Sequence, residues 1–148
     1  QPISAYGIPR EALVRLKPFI DWFHKRRMNK EIRMRHIYNH NVQDRIIQLN
    51  NLPHTEARFL PPQFDSPIST NICGNQVVLI HWTSTPIVVQ FVNNDIAAVY
   101  KNYFEMLWSA AKIPEECVTT PRWSYSLRKA RVRSNIPDHI FLVLFDEW

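Results

Sequence analysis

The sequence predicts an α/β domain, an α+β arrangement in which a mixed sheet is flanked by helices. Three observations predict it. Residues 68–92 hold three β-branched, apolar runs parted by Gly74-Asn75 and by Thr83-Ser-Thr-Pro86, the pattern of an antiparallel meander. Just after it, Ile96, Val99, Tyr100, Tyr103, Phe104, Leu107, Trp108 and Ala111 recur at helical spacing for about four turns. Before it, short apolar runs alternate with helical ones, which places strands and helices in succession.

Taken in order, residues 2–8 read as a strand ending at Gly7. Pro9 opens a helix, where its missing N–H would be unpaired in any case. Leu13, Leu16, Phe19, Ile20 and Phe23 carry its apolar face, and Pro18 predicts a kink or restart near Lys17. Residues 32–38 read as a strand of mixed alternation. Asn39-His40-Asn41 is turn-like and precedes a short helix over residues 42–50, with Ile46, Ile47 and Leu49 inward. Residues 56–60 form another strand, stopped by Pro61-Pro62. After the meander, Asn93 or Asn94 caps the long helix, and Asp95 complements its positive end. Composition shifts after Lys112, so the chain divides into a domain over residues 1–112 and a C-terminal extension over 113–148, with a basic stretch and one strand-like run at 140–145.

The chain has 148 residues, 45% of them apolar, enough to bury a core. Only two glycines occur, Gly7 and Gly74. A Walker A loop, a dinucleotide fingerprint, a nucleophile elbow and a kinase loop each need two or more closely spaced glycines, and all are excluded. No apolar run approaches the roughly 20 residues that span a bilayer. The chain starts at Gln1 with no basic and apolar leader pattern, so a cytoplasmic setting and a processed or excised chain are expected. Cys73 and Cys117 have no metal spacing and read as reduced thiols. The net charge is +5. Residues 1–112 carry 13 basic and 8 acidic groups while the remainder carries 5 of each, so the excess belongs to the first part.

No catalytic set is legible. None of the six histidines has a lysine two positions on, as phospholipase-D chemistry requires for its nucleophile and phosphate clamp. His36 and His40 are four apart but fall on a strand and its following loop, so no metal or other cofactor is expected. Two basic stretches invite a nucleic-acid reading: residues 25–35, with Lys25, Arg26, Arg27 and Lys30, and residues 122–133, with Arg128, Lys129, Arg131 and Arg133 beside Trp123 and Tyr125. The plainer reading is a solvated helix end and a surface segment.

The run Ile72-Cys-Gly-Asn-Gln-Val-Val-Leu-Ile-His-Trp-Thr-Ser-Thr-Pro-Ile-Val-Val-Gln-Phe-Val92 is followed by Asn94-Asp-Ile-Ala-Ala-Val-Tyr-Lys-Asn-Tyr-Phe-Glu-Met-Leu-Trp108. Together they resemble the regulatory domain of archaeal TrmB-type transcription regulators. Residues 16–27, 32–39 and 55–61 resemble successive earlier blocks of that domain, in the same order. The resemblance covers about residues 2–112. It implies a phospholipase-D-like fold without catalysis, sensing a small effector such as a sugar, supporting a homodimer, and controlling an attached winged helix-turn-helix that contacts DNA. No such winged helix lies within this sequence, and residues 113–148 match no part of the family's pattern.

In open α/β sheets the ligand crevice lies beyond the carboxyl ends of the parallel strands. Tyr6, Gly7, Arg10, Tyr38, Asn39 and His40 are therefore expected at a pocket, with His81 a further candidate and Arg10 placed to pair with an anionic effector. The rival expectation is a direct nucleic-acid-binding module built on the two basic stretches.

Overall fold

A computed structural model describes residues 1–115. The extension, with Cys117 and the basic residues Arg128, Lys129, Arg131 and Arg133, lies outside the described residues. The elements run β1 (Ile3–Ile8), α1 (Arg10–Asn29), β2 (Met34–Tyr38), α2 (Gln43–Asn50), β3 (Thr55–Phe59), β4 (Ile68–Cys73), β5 (Gln76–His81), β6 (Ile87–Val92) and α3 (Asn94–Ala110). One mixed sheet has the order β3-β2-β1-β4-β5-β6. β1, β2 and β3 are parallel, whereas β4, β5 and β6 form the antiparallel meander. β1 joins the two halves, parallel to β2 on one side and antiparallel to β4 on the other.

Helices cover both faces. α1 and α2 bury Ala12, Ile46 and Leu49 against Ile3, Ala5, Val78 and Ile80. α3 buries Ala97, Phe104 and Trp108 against Ile37, Ile72 and Val77 on the opposite face. Alternation along each strand supplies both faces at once, because successive side chains point to opposite sides. α3 starts where the sequence predicts: the Asn93 side chain accepts from the Asp95 and Ile96 N–H groups at 2.9 and 3.0 Å. Two strips share its apolar residues. Val99, Tyr103 and Met106 lie outside the core, 46%, 51% and 63% exposed.

Four local expectations are corrected. β1 passes through Gly7 to Ile8, since Gly7 sits in a register irregularity against β2 rather than at a chain turn. α1 runs unbroken through Pro18. The carbonyl that Pro18 leaves without an amide partner belongs to Val14, which is 70% exposed, so solvent can serve it. β2 begins at Met34 because Ile32 instead turns back, its N–H donating to the Arg27 carbonyl at 2.9 Å. A 3₁₀ turn over His40–Val42 precedes α2, which starts at Gln43. After α3 the chain returns to the far edge of the sheet, where Lys112 pairs with Phe59 of β3. Among the described residues no helix is long and apolar enough to cross a membrane.

Candidate functional site

A cavity of about 170 Å³ opens at the carboxyl ends of β1 and β2, on the α3 side of the sheet. Tyr6 and Gly7 end β1 there, Tyr38 and Asn39 end β2, Thr70 faces them from β4, and Leu107 closes the space from α3. Gly7 is there for steric reasons. Its φ is +67°, and a Cβ at this position would lie 2.6 Å from the Ile68 carbonyl oxygen. Burial pushes the Tyr6 phenol pKa up, so it stays neutral. The Tyr38 phenol, fully buried, is pushed up to about 12.

The segment 60–66 walls the cavity through Leu60, Phe64 and Ser66. Two residues of the β2–α2 connection tie it down. The Asn39 amide donates to the Ser66 carbonyl at 2.9 Å and accepts from the Ser66 N–H at 3.2 Å. The His40 N–H donates to Asp65 Oδ1 at 2.9 Å, and its ring Nδ1 contacts Asp65 Oδ2. Asn39 and His40 thus act on the cavity through the segment they hold.

Of the residues expected at a pocket, Tyr6, Gly7, Tyr38 and Asn39 line it, whereas Arg10, His40 and His81 do not. Arg10 instead pairs with Asp44 at 3.0 Å and donates to the Asn41 carbonyl, fastening α1 to the start of α2. Arg10 thus lies outside the lining, and among the described residues no cationic side chain lines the space. His81 stands between Ile68 and Ile87 in the meander. Sequence reasoning missed Thr70, Leu60 and Leu107. Only the antiparallel placement of β4 beside β1, and of α3 across them, brings these residues to the strand ends.

The basic stretch 25–35 does not form one charged rim. Arg27 is 2% exposed. Its guanidinium donates to His24 Nδ1 at 3.0 Å, to the Ile32 and His54 carbonyls at 3.1 Å each, and to the Thr55 hydroxyl. Burial lowers its pKa to about 10. Arg35 makes a two-pronged pair with Glu105 and lies over the Phe104 and Trp108 rings at 4.7 and 5.2 Å. Its hydrogen bonds hold the Glu105 carboxyl below the ordinary range. Lys25, Arg26 and Lys30 remain exposed. Among the described residues no group of three His, Cys, Asp or Glu side chains is placed to hold a metal ion.

Chemically, the cavity is lined by apolar side chains together with the hydroxyl-bearing Tyr6, Tyr38, Ser66 and Thr70, an arrangement that fits a small neutral guest with a few polar groups. No family model matches the chain, and no curated protein matches it. A solved structure does. The fold resembles that of TrmBL2. That protein is described as an archaeal chromatin protein whose structure shows a novel mode of DNA binding. The TM-score is 0.52 at 16% identity, over 74% of this chain and 44% of TrmBL2. The chain therefore spans less than half the length of TrmBL2, and at this identity the likeness is one of fold.

Proposed function

We propose that the chain is the effector-sensing and dimerisation part of an archaeal transcription regulator of the TrmB type. It is built on a phospholipase-D-like fold and has no catalysis of its own. Residues 1–112 form the sensing domain, with 113–148 an extension to it, and DNA is contacted by a winged helix outside this sequence. The setting is cytoplasmic. The observation that carries the reading is the cavity of about 170 Å³ at the carboxyl ends of β1 and β2, beneath a segment tethered by Asn39 and His40. It compares with the roughly 150 Å³ engineered cavity that accepts benzene, so the guest is about the size of one ring. The guest is a neutral metabolite, a sugar-derived one included, because among the described residues no cationic side chain lines the cavity.

The ordered blocks of resemblance along residues 2–112 support this reading, as does the TrmBL2-like fold. Leu107 links the cavity to α3, whose outer strip of Val99, Tyr103 and Met106 is the proposed dimer seam. A guest that favours one position of segment 60–66 would shift α3 and so the spacing of two DNA-binding heads.

The test is thermal unfolding of the chain against a panel of neutral sugars and other small metabolites, with its mass followed by light scattering. One metabolite class should raise the melting temperature, since a ligand at 100 times its Kd stabilises the native state by about 2.7 kcal/mol. Thr70→Val should weaken that response without lowering the unliganded melting temperature by more than a few degrees. A response to short DNA alone, vanishing at high salt, would instead make the chain a nucleic-acid-binding module.

A further inference from the structure

The two edges of the sheet are built differently. The β3 edge is guarded. Glu56 and Arg58 stand on it, and charged side chains deter a further strand. Its end is also taken: the Phe59 N–H donates to the Lys112 carbonyl at 2.9 Å, and the Lys112 N–H to the Phe59 carbonyl at 2.8 Å. The β6 edge has no such guard. Ile87–Val92 holds no charge, no proline and no glycine. Its register on β5 runs without a bulge. Among the described residues β5 is its one neighbouring strand.

The side chains of β6 are those of an inner strand. Val88 packs in the core beneath α1, and Phe91 in the core beneath α3. Alternation puts Ile87 and Val89 on the α3 side with Phe91, and Val92 on the other side with Val88. Ile87, Val89 and Val92 are exposed, so apolar surface is left on both faces of the edge. A strand open to water on one face shows polar residues there instead. The backbone agrees. The Asn93 N–H donates to the Asn75 carbonyl at 2.9 Å, one step beyond the Val92–Gln76 pair. Bonded and non-bonded pairs alternate along an antiparallel ladder, so Ile87, Val89 and Phe91 bond β5. Val88 and Val92 turn their N–H and C=O groups away from it.

We propose that residues 140–145 of the same chain add to β6 as a seventh strand, bonding the main chain of Val88 and Val92. The run Ile140-Phe-Leu-Val-Leu-Phe145 lies outside the described residues, and three facts select it. It is six residues long, as β6 is, and wholly apolar, so it covers Ile87 and Val89 on one face and Val92 on the other in either alternation. Residues 116–148 hold no other apolar run of that length, and Asp138 on one side with Asp146 and Glu147 on the other confine pairing to these six. The segment also reaches. Residues 116–139 lie between it and the last described residue, and extended they span up to about 80 Å. From β3, where Lys112 is bonded, to β6 the sheet is only about 24 Å wide. The addition is the mode by which an extended segment closes an open edge, with main-chain bonds giving the affinity.

The experiment is NMR of the full chain, reading proton contacts across β6 and amide exchange at Val88, Val92 and Val89. Contacts between β6 and residues 140–145 are expected within one chain, with slow exchange at all three amides. Alternate residues of a strand face its neighbour, so either Leu142 or Val143 bonds β6. Proline cannot donate. Leu142→Pro or Val143→Pro should therefore speed exchange at Val88 and Val92 at least tenfold. Val89, bonded to β5, should stay protected, which shows that the sheet is still folded. Fast exchange at Val88 and Val92 in the unaltered chain, or no change in either variant, would overturn the proposal. A sample mixing labelled and unlabelled chains identifies the occupant. Contacts between two copies of β6, or between β6 and residues 140–145 of another copy, would overturn it too, since the edge would then be closed by a second copy.

Discussion

Arg27 shows how much one side chain can carry. It sits in the most basic stretch of the sequence, yet its guanidinium is turned inward onto two carbonyls, an imidazole and a hydroxyl. Charge density alone could not reveal this, because an exposed and a buried arginine read alike in a sequence. Arg27→Met should cost about 3 kcal/mol in urea unfolding, since the buried acceptors lose their donors. Arg27→Lys should recover little of it, because an ammonium cannot span the fork. His36 gives a second prediction. Burial lowers its pKa from 6.5 to about 3, and His24 beside it is lowered as well, chiefly by burial. Above pH 6.5 both rings are neutral whether the chain is folded or not. Below it the unfolded chain takes up protons that the folded chain refuses. Stability should therefore fall with pH between about 6.5 and 3, by about 1.4 kcal/mol per unit for His36 alone. Urea midpoints measured across that range check it, and His36→Leu should flatten the slope.

At the scale of elements, periodicity and caps were legible and breaker rules were less so. The meander and α3 stand in the structure where their apolar patterns put them, because each pattern states which face is buried. Pro18 predicts a break that α1 does not make, since a local rule cannot see that Val14, whose carbonyl loses its amide partner, lies on the exposed side of the helix. The α3 stripe was legible as helical but not divisible by eye. Ala97, which the pattern passes over, is 1% exposed, while Tyr103, which it includes, is half exposed. At the strand ends, Tyr6, Gly7, Tyr38 and Asn39 were legible from the carboxyl-end rule, because they are consecutive with their strands. Thr70 and Leu107 were not, because sheet order and helix placement bring them there. The Asn93 cap supplies the prediction proper to this scale. Asn93→Ala removes the acceptor of two helix N–H groups and should cost about 1 kcal/mol by thermal or urea unfolding.

Among the described residues the sheet and the helices on its two faces make three layers, and α3 carries a strip of exposed apolar side chains. If Val99, Tyr103 and Met106 form the proposed seam, Tyr103→Glu with Met106→Glu should convert a dimer to a monomer in light scattering. Folding should be preserved, because both side chains lie outside the core. A chain that is monomeric before substitution would remove the seam. The surface charge bears on the rival reading. Arg27 is buried and Arg35 is paired, so the exposed cations of the stretch are Lys25, Arg26, Lys30 and Arg33. So few phosphate contacts predict that this stretch by itself adds little DNA affinity at physiological salt, so alanine at these four positions should leave a filter-binding salt series nearly unchanged.

The position of β1 has a consequence for how the molecule is made. Within this sheet β1 is made before the other five strands, and it is an inner strand, flanked by β2 and β4. Its antiparallel neighbour, Ile68–Cys73, is made only after α1, β2, α2 and β3 have all followed it. Synthesis proceeds from the N-terminus, and closing so long a loop is slow. The parallel half can therefore assemble early, but its β1 edge stays open until the meander arrives to seal it. That open edge, with Ile3 and Ala5 beside it, is where a nascent or destabilised chain is most exposed to aggregation.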